Sequence, residues 1–141
     1  MIHLSLRWSM AAVALVVVAA AAGAAGVWTR ASSGTPAHGF DLEGQPADVV
    51  ASYRFVEQHA GLVSTIPCYC GCGKSLDHQS LRDCYLKPNG SGYEGHASVC
   101  SVCLEEVADI ERLLTAGEDT AAIRSWIDRE YSKFGPPTAT P

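Results

Sequence analysis

Acidic side chains are absent from the first forty positions, and Asp41 is the first of fifteen. An excess of base is absent throughout, with ten Lys and Arg and a net charge of −5. Two of the ten, Arg7 and Arg30, flank the N-terminal apolar run. The remaining chain therefore carries eight basic against fifteen acidic residues, a net of −7. A surface of that sign cannot neutralise a phosphate backbone, so nucleic acid is excluded as a partner. It favours solubility and attracts cations. The Gly-x4-Gly-Lys-Ser/Thr phosphate loop and the nucleophile elbow are both missing, which removes those two routes to enzyme chemistry. Glu105, Glu106, Asp109 and Glu111 read as the outer, solvated face of a helix, not as catalytic carboxylates. No stretch has the alternation of a strand, and no repeat is evident. A non-enzyme is the favoured reading, and redox chemistry at the cysteines is the enzymatic alternative.

Residues 8–29 are uncharged and dominated by Ala and Val. At about 1.5 Å per residue they extend about 33 Å as a helix, matching a hydrocarbon core of about 30 Å. Trp8 and Trp28 stand at the two ends, where interfacial indoles belong. A retained single-pass anchor is the favoured reading. A signal peptide cut near Ala22-Gly23-Ala24 is the alternative, and it would give a secreted protein. Arg7 on one side and the acidic domain on the other place the C-terminal part outside the cytoplasm. The chain divides into a leader (1–30), a flexible Ser/Gly/Thr/Pro linker (31–45), a folded domain (46–135) and a disordered tail (136–141). His38 in the linker and His59 read as solvated.

The domain reads as all-α: a small bundle of three main helices plus a short one, with a cysteine-rich loop. The first helix is expected over 46–60, with Val49, Tyr53, Val56 and Ala60 on one face and Gly61 as its stop. A short helix is expected within 75–86 and a loop over 87–95. The strongest pattern covers 96–116, where Val99, Cys103, Val107, Ile110 and Leu114 form the inner face and Gly117 ends the helix. The last helix, capped by Asp119 or Thr120, turns Ile123, Ile127, Tyr131 and Phe134 inward. A core from about ninety residues is marginal, so cross-links or a metal would help it.

All six cysteines lie in this domain. Cys68, Cys70 and Cys72 alternate with single residues in the run Pro67-Cys68-Tyr69-Cys70-Gly71-Cys72-Gly73. Gly71 and Gly73 allow a tight curl, and Pro67 fixes φ where the loop begins. A disulfide between cysteines two apart is strained, which makes the loop inefficient as a staple. His96, Cys100 and Cys103 fall at about 0°, 40° and −20° on a helical wheel. Two thiolates and an imidazole on one stripe form half of a site for a soft or borderline metal. Cys84 is a further ligand or a disulfide partner, and His78 is a lesser candidate. The candidate ligands are Cys68, Cys70, Cys72, Cys84, His96, Cys100 and Cys103, around one centre or two. An imidazole at a helix N-terminus should be neutral, as a metal requires.

The cysteine run resembles the signature of the PCYCGC-motif family of exported or lipid-anchored bacterial proteins. His96-Ala97-x-x-Cys100-x-x-Cys103 and Ile123-Arg124-x-x-Ile127-Asp128-x-x-Tyr131 are also similar to that family, so the likeness spans roughly 46–134. It implies export and no particular activity. No cysteine precedes Cys68, so the leader lacks the residue that lipid-anchored members acylate. Residues 113–131 are faintly similar to the helical hairpin of cytochrome c maturation thiol reductases, without those proteins' cysteine motif in the right order.

Three functions fit. The first is a membrane-tethered, extracytoplasmic protein that holds or delivers Cu(I) or Zn²⁺, with a metal-receiving or metal-exporting protein as partner. The second is a thiol–disulfide oxidoreductase. The third is a disulfide-stapled scaffold without chemistry.

Overall fold

The computed structural model describes residues 39–140. The leader, most of the linker and Pro141 lie outside the described residues. Among these residues there are five α-helices: α1 (Ala47–Gln58), α2 (Ala60–Val63), α3 (Cys72–Ser75), α4 (Ser101–Thr115) and α5 (Thr120–Tyr131). There is no strand among them, and isolated bridges join Tyr93 to Phe40 and to Leu86. No described helix is long and apolar enough to cross a membrane. The described part is all-α, as the periodicity implied.

Helix α1 starts at Ala47, one residue later than expected, because Pro46 (φ −52°, ψ 146°) is its N-cap and lies outside the helical region. It buries Val49, Tyr53, Phe55 and Val56. The break after it comes at His59 (φ −116°), two residues before the expected stop, and Gly61 instead lies inside α2. The Tyr53 ring packs edge-on to Tyr85 and Tyr93 and stacks on Phe40. Its hydroxyl donates to the Glu94 carbonyl at 2.6 Å. One side chain thereby fixes the Gly-rich turn over α1. Phe40 and the buried Leu42 belong to the stretch expected to be a flexible linker. Their apolar rings and branches find a hydrophobic surface there, so residues 39–45 dock instead.

Helix α4 packs against both α1 and α5. It buries Cys103, Glu106, Val107, Ile110 and Leu113. Three expectations for it fail. The helix begins at Ser101, because His96–Val99 forms a separate 3-10 turn and Cys100 is extended (φ −114°, ψ 104°). Val99 is consequently 87% exposed. Glu106, expected in solvent, is fully buried. Of the helix expected within 75–86, only a 3-10 turn over Leu81–Cys84 forms, and α3 precedes that span with Ser75 alone in common.

Helix α5 is capped as expected: Asp119 Oδ1 accepts from Ala122 N–H at 2.8 Å. Ile123, Ile127 and Tyr131 face inward, whereas Phe134 is 51% exposed, since the helix ends three residues before it. The Tyr131 hydroxyl donates to Asp109 of α4 at 2.7 Å. Arg112 of α4 lies over the Trp126 ring, 5.0 Å from its centre.

Residues 136–140, expected to be disordered, form a strap on the cysteine loop. The Cys68 N–H donates to Thr138 Oγ1 at 3.0 Å, and Thr138 N–H donates back to the Cys68 carbonyl at 3.1 Å. Thr138 is buried. Gly135 makes the close approach possible, since a Cβ there would lie 2.9 Å from the Tyr69 carbonyl. Pairing with an extended loop supplies partners that a free tail lacks.

Ile127 is fully buried at the α4–α5 interface. Ile127→Ala should cost about 2–5 kcal/mol in urea unfolding of the reduced chain, and a loss below about 0.5 kcal/mol would contradict this packing.

Candidate metal centre

The loop from Cys68 has no regular structure and bends at Cys70 before Gly71, whose φ of 87° turns it into α3. A left-handed residue costs little only at glycine. The turn swings Cys72 back beneath Cys68 and Cys70, so three alternate sulfurs approach one point. Cys84 arrives at the end of the 3-10 turn Leu81–Cys84, which Ser80 and Asp83 close with a capping box. Cys103 comes from the first turn of α4. The Tyr85 hydroxyl donates to the Cys103 carbonyl at 2.7 Å and holds that turn in place.

Cys68, Cys70 and Cys103 form a triangle of sulfurs 3.3, 3.6 and 3.7 Å apart. Cys72 and Cys84 lie 3.3 Å from each other. His96 Nε2 is 3.3 Å from the Cys70 sulfur, and His78 Nδ1 is 3.3 Å from that of Cys84. The two imidazoles meet edge to face, 5.7 Å between centres. All six cysteines are free thiols.

Two overlapping donor sets emerge, each with its four ligand atoms within 4.8 Å of one another: Cys68, Cys70, Cys72 and Cys84; and Cys70, His96, Cys100 and Cys103. Every residue singled out from the sequence as a ligand falls in one set or the other. His96 and Cys100 reach the site without sharing a helical stripe with Cys103. The turn His96–Val99 and the extended Cys100 carry them there. His78 is the residue underweighted by sequence. It is out of helical phase with Cys84, and only the break between α3 and the next turn brings them together.

The sulfurs cannot all be ionised at such distances. Cys70 is pushed far below the ordinary thiol range because the Cys103 and Cys68 thiols donate to it. Cys84 falls to about 4 and Cys100 to about 7, each with Cys103 as its leading donor. Cys68, Cys72 and Cys103 move up, since ionising would forfeit the bonds they give, chiefly with Cys103, Cys68 and Cys100 respectively. Burial is the largest single influence on His96 and opposes a charge, yet the hydrogen bond with the Cys70 sulfur and the negative charges of Cys84, Cys70 and Cys100 together outweigh it and lift its pKa. The shift runs opposite to the one expected for a ring at a helix N-terminus.

The donor chemistry fits a metal ion. A Zn–S bond of about 2.3 Å implies tetrahedral S···S edges of about 3.8 Å, against the 3.3–3.7 Å found here. A disulfide would need about 2.05 Å. Thiolates with imidazole are the donors that soft and borderline ions select.

Glu106 lies beside the site. Its Oε1 accepts from the Tyr69 N–H at 3.0 Å, while Oε2 is buried without a partner. Burial holds its pKa well above the ordinary carboxylate range, a shift toward the protonated form. No feature of the sequence separated it from the solvated Glu105 and Glu111 except its place between Cys103 and Ile110 on the buried face.

The family described as "Protein of unknown function with PCYCGC motif" matches residues 25–141. The chain belongs to this family. No curated protein and no solved structure matches the chain. The PCYCGC run is the loop that supplies Cys68, Cys70 and Cys72. The segment after it supplies His96, Cys100 and Cys103.

Glu106 generates a pH prediction. Its folded pKa is raised, so above the unfolded value of about 4.3 the folded chain binds more protons than the unfolded one. Its contribution is fully present below that pH and falls as pH rises through the raised value. Glu106→Gln keeps the acceptor for Tyr69 and removes the titration. The variant should gain stability relative to the parent between pH 5 and pH 8 in denaturant titrations, and a pH-independent difference would refute the burial argument.

Proposed function

We propose that this protein holds a soft or borderline metal ion outside the cytoplasm and passes it to a partner. The observation that carries this is the convergence of six free thiols and two imidazoles at spacings close to tetrahedral edges. A stapled scaffold would have its cysteines joined in pairs, and a dithiol oxidoreductase needs one exchangeable pair instead of six sulfurs in contact. Cu(I) suits the thiolates, and Zn²⁺ suits the mixed Cys/His set. Delivery is favoured by the partial exposure of Cys70, His96 and Cys100, which leaves incoming ligands a path to the ion. An N-terminal tether through residues 8–29 would keep the site at the membrane surface; the uncharged run and its two Trp support that location.

Binding requires the thiols still protonated, Cys68, Cys72 and Cys103, to release their protons, so affinity should fall as pH falls. Replacing Cys68, Cys70 and Cys103 together with Ser should abolish stoichiometric uptake of Zn²⁺ and Cu(I) by the anaerobically purified chain while its helical circular dichroism persists. If that variant binds either ion as tightly as the parent, or if the native chain has no reactive thiols, the metal reading is wrong.

The location is tested separately. External protease should degrade the cysteine domain in intact cells while the N-terminal residues remain with the membrane. Protection of the domain, or release of the full-length chain into the medium, would overturn the tether.

A further inference from the structure

Resting on the metal reading above, we propose that the site takes two ions, not one, with the Cys70 thiolate bridging them.

Three observations lead there. Cys70 is the single member common to both four-donor sets. Each set is complete only when it uses that sulfur, and a thiolate has lone pairs for two metals. A terminal ligand would serve one set and leave the other with three donors.

The two sets also abut. Cys68 belongs to one and Cys103 to the other, yet their sulfurs are 3.6 Å apart. Both are within 3.7 Å of Cys70. Ions at the two centres would be neighbours sharing the Cys70 corner of this triangle, not occupants of separate pockets.

Donor number points the same way. The two sets hold seven ligand atoms between them, and one tetrahedral ion takes four. The three left over cannot complete a second shell alone, and sharing the Cys70 sulfur supplies the fourth ligand.

The two positions differ. The all-sulfur set has three buried members out of four, whereas three of the four members of the His96 set are partly exposed. The inner ion is enclosed, and the outer ion has the accessible edge.

Zn²⁺ is the probe. The full-length chain, reduced and purified without oxygen, is loaded with Zn²⁺, counted by native mass spectrometry and measured by X-ray absorption. The expected result is two Zn²⁺ per chain and a Zn–Zn distance of about 3.5–4 Å. Cys70→Ser should lose the Zn–Zn signal. Cys84→Ser and Cys100→Ser, each touching one set only, should each retain one ion against a chelator that spares both ions of the parent. If Cys70→Ser fails to fold, the Zn–Zn signal of the parent decides alone. Saturation at one Zn²⁺, or two Zn²⁺ with no Zn–Zn signal, overturns the bridge while leaving metal binding intact. No uptake at all overturns the metal reading as well, and a count of zero is distinguished from a count of one.

Discussion

Six sulfurs held within touching distance form a mutually repulsive set if ionised and a set of buried polar groups if not. The domain resolves this by alternation. Cys70, Cys84 and Cys100 are shifted toward the charged form, and Cys68, Cys72 and Cys103 toward the neutral one. Every neighbouring element then has the task of holding donors and acceptors in register. The positive φ of Gly71 turns the loop, the Ser80–Asp83 box fixes the approach of Cys84, and Tyr85 pins the carbonyl of Cys103. Without that framework the sulfurs would separate or oxidise in pairs.

The same constraint accounts for the buried polar groups elsewhere. Tyr53 and Tyr85 are fully buried, and each spends its hydroxyl on a backbone carbonyl. An aromatic ring contributes apolar area while its polar end secures a turn. Glu106 is the exception, with one oxygen satisfied and one not. In its neutral form it places a hydroxyl donor next to the thiol cluster without adding another negative charge.

Much of this was legible in the sequence where local physics decides. The faces of α1 and α5 followed from spacing, since Val49, Tyr53 and Val56, and Ile123, Ile127 and Tyr131, repeat at helical intervals. The Asp119 cap and the stop at Gly117 (φ 86°) were legible for the same reason. The ligand types were evident because few other combinations of Cys and His serve a soft ion. The path of the chain into the site was not. The extended Cys100 interrupts what periodicity presents as one helix, and the tertiary demand of aiming its sulfur at the cluster overrides local propensity. Val99 consequently points outward despite its apolar character. Glu106 was hidden because a carboxylate at a buried register position reads as surface until its neighbours are known. Docking of residues 39–45 and of the strap depends on pairings across the fold, for which no periodic signal exists.

The strap has a consequence for how the site is made. Thr138 is seventy residues from the Cys68 amide it holds. During synthesis, the PCYCGC loop emerges long before its clamp. For that interval the loop sulfurs have their own chain as neighbours but lack the segment that closes over them. Vulnerability to oxidants is therefore partly a matter of timing: the nascent loop is most exposed early, and the arrival of residue 138 covers Cys68 while Cys70 stays partly exposed. The oxidation state of the finished protein would then record the order in which its segments appeared.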